Sequence, residues 1–139
     1  MTSRFLWKPL IAFLVFFSAG AFYSCSDDEI EPTLQANIFL SGGEWNASSY
    51  VIGGQESIGS VNMGLVLKFT TDGGVGGTYQ GTTIDINGNS SSAASTYEVV
   101  NEGKGLKFGS DTLLMTVSSS SLNLDGRYFL SDVQIIATR

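Results

Sequence analysis

From Glu44 to the end of the chain, apolar and polar side chains alternate in short stretches, each closed by glycine, asparagine, aspartate or serine. A period of two puts successive side chains on opposite faces of an extended strand, so the pattern reads as half-buried strands joined by turns. Glu44–Ile52 sets Trp45, Ala47, Tyr50 and Ile52 among polar neighbours, with a slip at Ser48-Ser49 that a bulge would absorb. Met63–Thr71 is more regular. Met63, Leu65, Leu67 and Phe69 share one face, and Gly64, Val66, Lys68 and Thr70 share the other. Asp72-Gly73-Gly74 turns the chain, and Val75–Gly81 and Thr82–Ile86 carry it to Asn87-Gly88, the pair favoured in a type I′ hairpin turn. Ser95–Val100, Leu106–Phe108, Thr112–Val117, Leu122–Leu124, Arg127–Leu130 and Val133–Thr138 follow, with Asp125-Gly126 as a second hairpin signal.

From Phe39 onward no stretch repeats its apolar residues at i, i+3, i+4 and i+7, and no proline follows Pro32 to interrupt a strand. The expected domain is therefore all-β, with about eight or nine short strands. Two closures suit it: an antiparallel meander barrel of about eight strands, or a β-sandwich. Consecutive strands with short connections favour the barrel. An eight-stranded barrel has an interior just wide enough to be filled by side chains or to hold one small ligand.

The beginning of the chain follows another logic. Arg4 and Lys8 precede an apolar run, Leu10–Ala21, which is shorter than the ~20 residues a membrane-spanning helix needs. Residues 1–24 thus read as a signal peptide. Phe22-Tyr23-Ser24-Cys25 resembles a bacterial lipobox, whose cysteine is acylated after cleavage before it. Ala19-Gly20-Ala21 offers a rival site for ordinary signal peptidase. Cys25 is the chain's one cysteine, and exported cysteines usually pair, so lipid attachment gives Cys25 a role. Residues 25–38 then read as a lipidated cysteine and acidic tether, and residues 39–139 as a single all-β domain. Asp27-Asp28-Glu29-Ile30-Glu31 is either a solvated spacer or resembles the acidic signal that sends lipoproteins of gut-type Gram-negative anaerobes to the outer cell face.

Charge and composition narrow the function. Lys+Arg 7 against Asp+Glu 13 gives a net charge of −6, and loss of Arg4 and Lys8 with the signal peptide makes it −8. That balance argues against a nucleic-acid partner, which needs clustered cations. The absence of histidine removes the Ser-His-Asp triad, the Cys-His dyad and most catalytic zinc sites. Asp85-Ile86-Asn87-Gly88-Asn89 begins like a calcium loop, but Ser90 and Thr96 stand where Gly and Glu are required, so a hairpin turn explains it. The Gly73–Gly77 run fits no phosphate-binding motif and reads as a hairpin tip. Asp72, Asp85, Asp111 and Asp125 fall at turns rather than in a carboxylate pair for glycoside hydrolysis. The expectation is a protein without catalysis, metal or cofactor.

Gly42-Gly43-Glu44-Trp45, Leu67-Lys68-Phe69-Thr70-Thr71-Asp72-Gly73 and Gly77-Thr78-Tyr79 together resemble the small lipocalin-like domains of bacterial lipoproteins. Gly74–Thr78 adds residues before the tyrosine of that family's hairpin. Tyr97-Glu98-Val99-Val100 and Ser121-Leu122-Asn123-Leu124 stand where the family carries its middle and late strands, so the likeness spans about Ser41 to Arg139. It implies a calyx-type, lipocalin-like barrel that binds a small hydrophobic ligand, held at the outer membrane by lipid on Cys25. Trp45, Tyr79 and Tyr97 are the ligand-binding candidates, although Trp45 also suits a plug at one end of the core. The alternatives are a carbohydrate-binding β-sandwich of a surface glycan-capture system and a structural adhesin or partner-docking module. Asp111-Thr112-Leu113 resembles the acceptor sequence of general O-glycosylation in the same anaerobes.

Overall fold

The alternating stretches become strands in a computed structural model that describes residues 29–139. The signal segment, the lipobox with Cys25 and the first acidic residues lie outside the described residues. The strands are β1 (Glu44–Ile52), β2 (Gln55–Glu56), β3 (Asn62–Thr71), β4 (Gly76–Asp85), β5 (Ser90–Val100), β6 (Gly105–Phe108), β7 (Asp111–Val117), β8 (Ser121–Tyr128) and β9 (Ser131–Thr138). From β3 to β9 each strand pairs antiparallel with the next. β1 pairs with β3 through Glu44–Asn46 and with β9 from Asn46↔Thr138 to Ile52↔Val133, which closes the ring. The fold is an eight-stranded antiparallel barrel, not a sandwich, and β2 is a short extra strand folded back on the end of β1.

The β1–β9 register shifts between Ala47 and Ser49. That bulge brings Tyr50 onto the face that Trp45 and Ala47 begin; Trp45 belongs to the core, and Ala47 and Tyr50, partly buried, pack against it. β4 runs unbroken through Gly81, in line with the reading of Thr82–Ile86 as an extension of Val75–Gly81. Two stretches differ from the sequence reading. β5 starts at Ser90 rather than Ser95, because Ile84↔Ser90 to Tyr79↔Ser95 supply a ladder that serine and alanine do not ask for by propensity. Asp125-Gly126 lies inside β8 and turns nothing. A Cβ on Gly126 would stand 3.1 Å from Leu113 Cδ2, so this glycine answers a close approach between neighbouring strands. The turn falls instead at Phe129-Leu130.

Helix α1 (Pro32–Leu40) occupies the second half of the stretch, residues 25–38, that the sequence suggested was tether. Pro32 starts it, where a missing amide proton costs nothing, and Ser41 ends it by donating its hydroxyl to the Asn37 carbonyl at 2.8 Å. Ala36, Asn37 and Leu40 face inward and are buried. Gly103, in the 3₁₀ turn between β5 and β6, has a positive φ of 85°, and a Cβ there would come 2.8 Å from the Pro32 carbonyl. The helix thereby closes the barrel end where β1 begins and β3 and β5 finish. At the other end lie the β4–β5, β6–β7 and β8–β9 turns, and no helix covers it among the described residues.

Candidate functional site

The two barrel ends are packed differently because their inward positions differ in size. At the helix end, Trp45, Leu40, Leu106, Leu122 and Val99 are essentially without solvent contact. The indole Nε1 of Trp45 donates to the Leu40 carbonyl at 2.8 Å, and the Arg139 guanidinium covers the ring 4.3 Å from its centre. Asn37 is the polar centre of the plug. Its Nδ2 donates to the Gly74 carbonyl at 2.6 Å and to Thr71 Oγ1 at 3.0 Å, while its Oδ1 accepts from the Tyr97 hydroxyl at 2.6 Å. Burial, together with the negative charge of Asp72, pushes the Tyr97 phenol up to about 12.

Toward the other end the inward positions of β4 and β5 become small. Gly81 faces Ala93 and Thr83 faces Ser91 across the ladder. The side chains opposite do not fill the space, and a cavity of about 330 Å³ remains. Its walls are mainly apolar, with Leu65, Leu67, Phe69, Leu113, Leu124 and Ile135 among the lining residues. The volume lies at the lower end of the range of about 300–1,000 Å³ typical of ligand pockets. β5 pairs with β6 only through Glu98–Val100, so along Ser90–Tyr97 the wall has a strand on one side alone.

Aromatic rings link the plug to the mouth. Phe69 meets Tyr97 edge-on at 5.2 Å and Tyr79 in a stacked arrangement at 5.9 Å. Phe108 contacts both Tyr79, at 4.7 Å, and Tyr128, at 5.7 Å, and Tyr128 meets Phe129 at 4.6 Å. Three tyrosines line the cavity, Tyr50, Tyr79 and Tyr128, together with the hydroxyl-bearing Thr83, Ser91 and Ser92. The phenol hydroxyls of Tyr79 and Tyr128 lie 3.5 Å apart. Burial raises the Tyr50 and Tyr79 phenols above the usual range, so both remain hydrogen-bond donors at neutral pH.

The rim is apolar as well. Phe129 and Leu130, 77% and 87% exposed, form the β8–β9 turn, with Val61, Met63 and Ile86 exposed at the same end. Both turn residues have positive φ, 46° and 67°, where asparagine and glycine are the usual occupants. Large apolar side chains there carry both backbone strain and exposed apolar surface.

Of the residues singled out from the sequence, Tyr79 lines the cavity, whereas Trp45 and Tyr97 belong to the plug. Tyr50, Phe108, Tyr128 and Phe129 were not singled out. Tyr50 comes into phase only once the bulge is counted, and the facing small pairs of β4 and β5 emerge only from the register. Two of the four aspartates bond locally: Asp72 Oδ1 accepts from the Gly74 amide at 2.9 Å, and Asp85 Oδ1 from the Asn87 and Asn89 amides at 2.8 and 2.9 Å. Asp111 Oδ2 accepts from the Phe129 amide at 3.4 Å, and Asp125 lies inside β8. Thr112 is exposed on β7. No family model matches the chain, and no curated protein does.

Proposed function

We propose that this chain is a non-catalytic lipoprotein, anchored at the outer membrane through Cys25, whose barrel binds a small, largely apolar molecule. The observation that carries the reading is the cavity: one end of the barrel is packed and hydrogen-bonded throughout, and the other keeps about 330 Å³ unfilled behind an apolar rim. A core evolved only for stability fills such space, since each missing methylene forfeits contacts. Inward-facing Trp45 and Tyr79 suit a carrier better than a glycan platform, which presents its rings to solvent.

Gly81 offers the test. A Cβ there meets only Leu67 Cδ2 at 3.6 Å and Tyr79 Cε2 at 3.7 Å, both ordinary contacts. Gly81→Val therefore adds bulk to the cavity wall at a position where the Cβ itself asks for no shift. The neutral fluorophore N-phenyl-1-naphthylamine is expected to bind the wild-type domain, and Gly81→Val to weaken it about tenfold or more, a change of about 1.4 kcal/mol. The melting temperature should stay close to that of the wild type. Absence of binding to the wild type, or binding that ignores the valine, overturns the carrier reading.

A further inference from the structure

Tyr50, Tyr79 and Tyr128 line a cavity whose lining includes no charged side chain among the described residues. Tyr79 and Tyr128 share a long contact of 3.5 Å, and Tyr50 lies within electrostatic reach of both. A phenol has one proton to donate, so one contact among three phenols leaves two donors free to face a guest. Tyr50 and Tyr128 stand on strands β1 and β8, either side of β9, and Tyr79 stands across the barrel on β4. Donors thus stand on both walls, and apart from Thr83, Ser91 and Ser92 the rest of the lining is apolar.

Resting on the carrier reading, we propose that the ligand class is a neutral apolar molecule bearing one carbonyl-type oxygen, such as an ester, ketone or amide, with that oxygen held by the tyrosine hydroxyls. The lining decides the charge. A carboxylate or sulfonate would enter a poorly solvated space without a Lys, Arg or His to pair with it, and an ammonium would find no Asp or Glu. Either ion would forfeit its hydration uncompensated. A plain hydrocarbon would do the reverse and strip water from three hydroxyls while returning nothing. A carbonyl oxygen has two lone pairs and accepts two hydrogen bonds, which matches the donors on offer.

Three fluorophores separate the possibilities. Prodan is neutral and carries a ketone whose emission reports hydrogen bonding. N-phenyl-1-naphthylamine is neutral without a carbonyl, and 8-anilinonaphthalene-1-sulfonate is its anionic relative. The wild-type domain should bind prodan more tightly than N-phenyl-1-naphthylamine, and the sulfonate most weakly. Tyr79→Phe and Tyr128→Phe, each checked for an intact melting transition, should each weaken prodan about fivefold, the worth of a typical hydrogen bond. They should also shift its bound emission to the blue while leaving N-phenyl-1-naphthylamine unchanged or tighter. Should the phenylalanine variants bind prodan with unaltered affinity and colour, or the sulfonate bind best, the ligand class is wrong and the carrier reading survives. Should no neutral probe bind the wild-type protein, both fall together.

Discussion

The two ends of the barrel are built from the same strands and reach opposite solutions. At the helix end, large side chains meet a helix, and every polar group they bring is matched: Trp45 with the Leu40 carbonyl, Tyr97 with Asn37, and Asn37 with Thr71 and Gly74. At the mouth, facing positions shrink to Gly81 and Ala93, three phenols share one long contact, and Phe129 and Leu130 stand in solvent on a left-handed backbone. Stability is concentrated at one end, which leaves the other free to stay unfilled. A closed barrel can carry such an imbalance because its wall is held by backbone ladders rather than by each layer of its core, even though Ser90–Tyr97 is paired on one side alone.

Truncating the plug is the strongest way to break that contrast. Trp45→Ala removes the largest fully buried side chain, and by analogy with other buried aromatics should cost about 3–5 kcal/mol in chemical unfolding followed by circular dichroism. A loss no greater than that of Gly81→Val would erase the distinction between the ends. Asn37→Ala should come next, at about 2–3 kcal/mol, because it strands the buried Tyr97 hydroxyl and frees two carbonyls of their donor. The mouth should respond in the opposite direction. Leu130→Gly relieves a positive φ of 67° at a side chain with almost no contacts, and should stabilise the fold by about 1 kcal/mol. A destabilised Leu130→Gly variant would mean that the turn leucine packs against something, and the open end would no longer count as strained.

Much of the wall was legible in the alternation. β1 matches Glu44–Ile52 residue for residue, its slip at Ser48-Ser49 is a bulge, and the meander closes as short connections favour. What escaped depends on partners rather than on local pattern. α1 escaped because nine residues beside an acidic run show no amphipathic stripe; it forms because the barrel end offers Ala36, Asn37 and Leu40 a place to go. Ser90–Ser95 has little strand preference of its own and is recruited by β4. Asp125-Gly126 misled because glycine serves close approach as readily as it serves turns, and here Leu113 stands over it. The cavity was out of reach for the same reason. Tyr79 could be suspected as a lone aromatic, but a void exists only between side chains whose register is known.

The closing seam between β1 and β9 bears on how the chain comes to be folded at all. Ser48 and Ile136, bonded across it, are 88 residues apart, and β1 otherwise holds β3 by only Glu44–Asn46. Little of β1 is secured until the last strand has been made and has found it, so the ring forms late and over a long loop, the situation in which folding is slow. Until then the first and eighth strands display bare rows of amides and carbonyls, open to whatever else extends a sheet. The eight residues of β9, Ser131–Thr138, thus act as a latch.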